Sequence, residues 1–212
     1  MISSTTQNLI HDFRQLGLQT GDLVLFHSSL RSIGQVIGGA SAVIEALLET
    51  VGEQGTVAVP TIIHTSGYPR EPFEVASRPS EVGAITEALR LHPQAMRSIH
   101  PTHSVAAIGP LAKELVGGHE NAYGAWTPWG AQAFGTGSPW DLFYRWNARY
   151  LFIGVSFQVC TLFHYAQTRY LAKHQCNYAQ PIPFPYFSHE KMGEKLKEEL
   201  QLKPGYIGAA ES

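Results

Sequence analysis

Charge is scarce in this 212-residue sequence: 15% of residues are Asp, Glu, Lys or Arg, and the formal net charge is −2. No basic cluster is present to attract a polyanion, which speaks against nucleic-acid binding. Cysteine is scarcer still, with Cys160 and Cys176 alone. Two isolated cysteines read as reduced thiols rather than as a disulfide framework. No apolar run approaches the roughly 18–20 residues that cross a bilayer, and the N-terminal MISSTTQNLIHDFRQLG lacks the apolar core of a secretory signal. No membrane association is expected, and the cytoplasm is the expected location. There is no Gly-x-Ser-x-Gly elbow, no His-Glu-x-x-His, no Cys-x-x-Cys, no P-loop and no dinucleotide fingerprint. Ten histidines occur without regular spacing or carboxylate partners, so no metal site is expected.

What is present suits one globular α/β domain spanning 1–212. Hydrophobic residues make up 44% of the chain, enough for a sizeable core. Residues 3–6 provide caps for a helix whose apolar face is marked by Leu9, Ile10, Phe13 and Leu16. Leu23-Val24-Leu25-Phe26 is a continuous apolar run, the pattern of a strand buried on both faces. From Ala40 the residues Val43, Ile44, Leu47, Leu48 and Val51 repeat at helical spacing until Gly52. Val57-Ala58-Val59 supplies the next strand and Pro60 ends it. Strand, loop, helix, strand is the βαβ unit of a parallel sheet. Further along, the pattern predicts a helix over 81–91, strands over 104–108 and 150–153, and a helix over 161–173. A Pro-rich extended stretch over 180–186 and a charged amphipathic helix over 190–202 follow.

Three segments carry chemistry. The first βα loop holds Ser28, Ser29, Leu30, Arg31, Ser32, Gly34, Gly38 and Gly39. Hydroxyls, backbone N–H groups and a helix start suit a diphosphate; an ordinary capped connection is the alternative. With neither nucleotide motif present, coenzyme A fits that diphosphate better than ATP or NAD. The second segment, Arg97-Ser98-Ile99-His100-Pro101-Thr102-His103-Ser104, reads either as a pocket lining at a strand edge or as a solvated turn fixed by Pro101. The third runs from Gly154 into a helix. Thr161, His164 and Gln167 recur there at three-residue spacing, which places them on one helix face beyond a strand's C-terminal end. His164 is then either a general base oriented by Gln167 or a structural histidine.

Taken in order, these blocks resemble the aminoglycoside 3-N-acetyltransferase family, also called antibiotic N-acetyltransferases. The likeness runs from about Gly21 to Tyr170. It includes His27-Ser28-Ser29-Leu30 through Gly38-Gly39, Gly55-Thr56-Val57 to Pro60-Thr61, and Pro79-Ser80-Glu81-Val82-Gly83. It continues with Arg97 to Pro101, Ser104 to Gly109, Gly137-Ser138-Pro139, and Gly154-Val155 with Thr161 and His164. The resemblance implies a three-layer α/β/α fold with a largely parallel central sheet, and acetyl-CoA as co-substrate. It implies coenzyme binding by the Ser28–Gly39 loop with Ser104 nearby. It also implies direct acetyl transfer to an amine, the 3-amino group of a 2-deoxystreptamine aminoglycoside or a similar acceptor. His164 would be the base, and Thr161 a donor to the thioester oxygen.

Two departures qualify that expectation. The family pattern is Thr-x-x-His-x-x-Glu, and this chain has Gln167 at the last position. An amide orients an imidazole but adds no charge, so either activity is lower or Glu71, Glu74 or Glu81 substitutes. The chain is also shorter than family members usually are, in the region that helps form the acceptor site. A weakened CoA-binding protein, or an acyltransferase for another amine metabolite, is therefore the alternative function. A homodimer is the default assembly.

Overall fold

The structure is a computed structural model that describes residues 3–63, 74, 77–124 and 130–173. The expected stretch over 180–186, the helix over 190–202, Cys176 and Glu71 lie outside the described residues.

The described residues form a five-stranded sheet in the order β3-β4-β2-β1-β5. Strand β1 (Leu23–Ser28) lies between β2 (Thr56–Pro60) and β5 (Arg149–Ile153), both parallel to it. On the far side of β2, β4 (Val105–Ile108) runs antiparallel, and the two-residue β3 (Met96–Arg97) pairs antiparallel with β4. The βαβ unit read from the sequence is therefore the parallel half of the sheet. The antiparallel direction of β4 has a useful consequence: its N-terminal end lies at the edge where β1 and β2 finish, and the Thr61 N–H donates to the Ser104 carbonyl at 2.8 Å.

Alternation along the strands divides the core into two layers. Val24 and Phe26, Val57 and Val59, and Ala106 and Ile108 face one side. They pack there against α1 (Thr6–Gln15), α3 (Gly39–Val51) and α4 (Ala84–Arg90). Leu23 and Leu25, Ala58, and Val105 and Ala107 face the other side, against α5 (Ala112–Val116), α6 (Ala131–Phe134), α7 (Pro139–Arg145) and α8 (Leu162–Lys173). The result is the three-layer α/β/α fold.

Local details refine the expected boundaries. Thr5 caps α1 in a capping box with Asn8. Leu16, expected on the buried face, sits at the C-cap and is 69% exposed. The helix expected over 81–91 starts only at Ala84, because Gly83 before it has φ 123°, outside the helical region. The loop after β1 contains a four-residue helix, α2 (Leu30–Ile33), capped by the Ser29 side chain. An isolated bridge between Ser4 and Val36 ties this loop to the N-terminal segment.

Candidate active site

The site is built at the sheet edge where the parallel strands end, the usual ligand position of open α/β sheets. Three loops meet there. The loop after β1 leads through α2 to α3, the loop after β5 leads to α8, and the segment before β4 approaches from the neighbouring strand. Two of these touch directly: the Ser29 N–H donates to the Ile153 carbonyl at 2.9 Å. Gly154 turns the chain at φ 69°, and a Cβ on it would stand only 3.0 Å from the Ser29 carbonyl oxygen and from Ser32 Cβ. A side chain at position 154 would therefore push the two loops apart.

His164 occupies the first turn of α8, where its Nδ1 lies 2.9 Å from Gln167 Oε1. The amide oxygen accepts, so Nδ1 carries the proton and Nε2 is the basic nitrogen. The expected orienting contact is thus present. The half-buried ring lies among aromatic neighbours: Phe134 at 5.7 Å, Phe163 at 6.0 Å and His103 at 6.5 Å between centroids. Thr161 precedes the helix and accepts the His164 N–H at its carbonyl. Its buried hydroxyl turns inward, 3.3 Å from His27 Nε2. The Thr161 N–H donates to the Tyr150 hydroxyl at 3.1 Å. Thr161 and His164 are thus joined through one backbone turn, while their side chains have different partners.

The β1 loop residues fall into distinct roles. Ser29 and Ser32 bond to each other through their hydroxyls at 2.9 Å, as part of the α2 cap. Leu30 packs against the core, whereas Arg31, Ser32, Gly34 and Gly38 are exposed. Ser28 ends β1 half-buried. Gly38 caps α3 without a side-chain bond, which leaves first-turn N–H groups of a 13-residue helix for an outside acceptor. Gly39 is the first residue of that helix.

Ser104 is placed differently. It is fully buried, and its hydroxyl lies 2.8 Å from Thr61 Oγ1 and donates to the Thr61 carbonyl at 3.0 Å. Arg97 Nε donates to both hydroxyls, and its guanidinium also bonds the Thr61 and Arg78 carbonyls. Burial lowers the Arg97 pKa to about 10, which leaves it charged at neutral pH. The neighbouring His100 and His103 are buried too, so the solvated-turn alternative is corrected. His100 Nδ1 accepts the His103 and Thr102 N–H groups, its ring stacks on His119 at 4.8 Å, and His119 Nδ1 lies 2.8 Å from Ser98 Oγ. Desolvation lowers His100 to about 3 and His119 to about 4, so both are neutral at pH 7.

Of the proposed substitute carboxylates, Glu74 accepts from Ser77 within its own turn. The Glu81 N–H is bonded to the Ile62 carbonyl. Burial pushes the Cys160 thiol up, so it stays protonated and poorly nucleophilic. Among the described residues, no group of three His, Cys, Asp or Glu side chains comes together to hold a metal ion, and no helix is long and apolar enough to cross a membrane.

His27 enters the sequence reading only within the His27-Ser28-Ser29-Leu30 block, with no role of its own. It shares the inner face of β1 with Leu23 and Leu25, in line with Thr161. Period-two alternation places it there, but only the fold supplies its partner.

The three-layer α/β/α fold has counterparts among known proteins. The family model described as aminoglycoside 3-N-acetyltransferase matches residues 25–185. The chain belongs to that family. Aminoglycoside N(3)-acetyltransferase III from a Salmonella species is 34% identical over 77% of this chain, and the chain spans 60% of that relative's length. The SPbeta prophage-derived aminoglycoside N(3')-acetyltransferase-like protein YokD of Bacillus subtilis (strain 168) is 30% identical over 97% of this chain and 85% of its own length. Among solved structures, the AAC-IIIb binary complex with CoASH superposes with a TM-score of 0.67 at 26% identity, over 78% of this chain and 65% of that one.

Proposed function

We propose that this chain transfers an acetyl group from acetyl-CoA to an amine of an aminoglycoside or similar amino sugar, with His164 as general base. The observation that carries the reading is the 2.9 Å contact between His164 Nδ1 and Gln167 Oε1, which assigns Nε2 as the basic nitrogen at the ligand edge of the sheet. A family relative bound to CoASH supports the donor, and a relative named for N(3)-acetylation supports the acceptor class.

The diphosphate of the coenzyme would lie against the Ser28–Gly39 loop and the open N-terminus of α3, where N–H groups and the helix dipole favour an anion. The acceptor amine is mostly ammonium at neutral pH and attacks only when deprotonated. His164 Nε2 takes the amine proton as nitrogen bonds to the thioester carbonyl carbon. Negative charge gathers on the former carbonyl oxygen, toward which the Thr161 hydroxyl donates. Collapse of the tetrahedral intermediate breaks the C–S bond, and the imidazolium returns the proton to the departing thiolate. The amide and CoA thiol leave together with the base restored. A protonated, half-buried Cys160 agrees with direct transfer without an acyl-enzyme.

Gln167 favours a second reading in the same fold, a slower acyltransferase or a CoA-binding protein, because its amide cannot stabilise the imidazolium with a charge. A thiol-release screen with acetyl-CoA over aminoglycosides and other amines separates the readings. Thiol release with an aminoglycoside supports the first. Calorimetric binding of acetyl-CoA without turnover on any amine supports the second, and absence of binding at millimolar coenzyme rejects both.

A further inference from the structure

His27 has no part in the mechanism so far, yet it joins the loop assigned to the coenzyme and the helix assigned to the base. It immediately precedes Ser28, and its imidazole reaches Thr161 Oγ1 across 134 positions of sequence at 3.3 Å. The residue is 8% exposed, and its ring packs against two side chains of the neighbouring strand that also touch each other, at 4.7 Å between centroids. Phe152 is nearly parallel to it at 6.0 Å, and Tyr150 is tilted at 5.6 Å. Burial and this packing restrict the ring, and its Nε2 meets Thr161 Oγ1. Desolvation lowers its pKa to about 4, so at neutral pH it is an uncharged imidazole with one N–H and one lone pair.

Thr161 is held from the same side. Its N–H donates to the Tyr150 hydroxyl, and its carbonyl accepts the His164 N–H. A threonine before a helix ordinarily turns its hydroxyl back to cap a first-turn N–H. This hydroxyl instead meets His27 beneath the helix. An oxygen with one hydrogen to give can stabilise a developing oxyanion only if that hydrogen points outward. The partner on the inner side decides this.

We propose that His27 is a positioning residue for acetyl transfer: its Nε2–H donates to Thr161 Oγ1 and so leaves the Thr161 O–H to point at the thioester oxygen. The inference rests on the acetyltransferase reading. It adds a device that sets the hydroxyl's direction before the coenzyme arrives. The reverse arrangement, with His27 accepting, would turn the same hydrogen into the protein and remove the donor when charge develops.

The test combines kinetics with a measurement that needs no turnover. His27→Phe keeps a flat ring against Phe152 and Tyr150 and removes the donor, while His27→Gln offers an amide N–H near the position of Nε2. The expected result for His27→Phe is a fall of about 10- to 100-fold in kcat, below or within the cost of losing an oxyanion donor outright. KM for acetyl-CoA should change little, and His27→Gln should recover most of the loss. In a Thr161→Val background, His27→Phe should lower kcat no further, since the group it positions is gone. Full additivity of the two losses overturns the proposal, as does wild-type kcat in His27→Phe. Histidine nitrogen chemical shifts of the wild-type protein read the tautomer directly. A protonated Nε2 that loses this preference in Thr161→Val is expected, and an Nδ1–H tautomer overturns the inference whatever the activity. Should no amine be acetylated while the Nε2–H tautomer is present, the acetyltransferase reading fails and the catalytic role of His27 with it. The kinetic and tautomer results therefore tell the two failures apart.

Discussion

Two histidine environments lie on the same side of the sheet and hold their imidazoles in different ways. In one, His100 and His119 stack on each other, and their nitrogens are engaged by Thr102 and His103 N–H groups, Ser98 and the Ala133 carbonyl. In the other, the half-buried His164 is held at Nδ1 by Gln167, a geometry that orients the ring toward the ligand edge. Residue type does not distinguish a structural histidine from a catalytic one. Burial does: a fully desolvated imidazole is held neutral and inaccessible, whereas a half-buried one in a fixed tautomer is a usable base. His103 stands between the two, with Nδ1 on Thr102 and its ring edge toward His164. It thus touches both.

The sharpest way to break this contrast is His164→Ala. Loss of a general base costs about 10²–10⁴ in rate, so kcat for thiol release should fall by that order while the thermal midpoint stays close to wild type. A variant that turns over at the wild-type rate would remove His164 as the base. One that unfolds several degrees earlier with modest kinetic loss would move it into the structural class.

Acidification should act on the buried histidines, His27 included, through stability. His27, His100 and His119 have folded-state values of about 4, 3 and 4, against an ordinary 6.5. Below pH 6.5 the unfolded chain therefore binds more protons than the folded one, and stability falls as pH falls. The stabilising contribution is complete above about pH 6.5 and is lost progressively toward pH 3–4. Each histidine would cost on the order of 1–2 kcal/mol by pH 5. Denaturant unfolding at pH 7 and pH 5 measures the drop, and His119→Gln should make it smaller. An unchanged slope in that variant would show that His119 is not desolvated in the folded protein.

The same contrast explains what the sequence disclosed. β1, α3, β2, β5 and α8 were legible because each is a continuous apolar run or several turns of helical spacing. The helices α5, α6 and α7 were not: at five, four and seven residues they are too short to show a period. They are fixed instead by burial of Leu115, Phe134, Trp140 and Phe143. An apolar run also does not encode the direction of β4. At the site, the His164–Gln167 contact was legible because helical geometry guarantees that residues three apart meet. The burial of His100 and His103 was hidden, since what encloses them comes from elsewhere in the chain. Phe134 packs on the His103 ring, and Trp140 Nε1 donates to the His103 carbonyl from 37 residues away. His27 was hidden for the same reason at larger separation.

Gln167→Glu offers the smallest expected effect and the finest test. The substitution changes an amide into a carboxylate at the atom that accepts from His164 Nδ1. A negative charge within hydrogen-bonding distance favours the imidazolium, so the pKa of His164 should rise in the variant. Nε2 would then be a stronger base in the transition state. Against this, at fixed pH a larger share of the resting enzyme would be protonated and unable to accept the amine proton. The two effects oppose each other below the new pKa and combine to a gain above it. We therefore expect an alkaline shift of the rising limb in kcat against pH, with a gain of up to about tenfold on the plateau and little change near pH 6. A plateau gain without the shift would mean that the glutamate improves ring orientation alone. A shift without a gain would mean that proton transfer does not limit the rate, and the amide at position 167 is then a sufficient partner for a histidine whose geometry was already set.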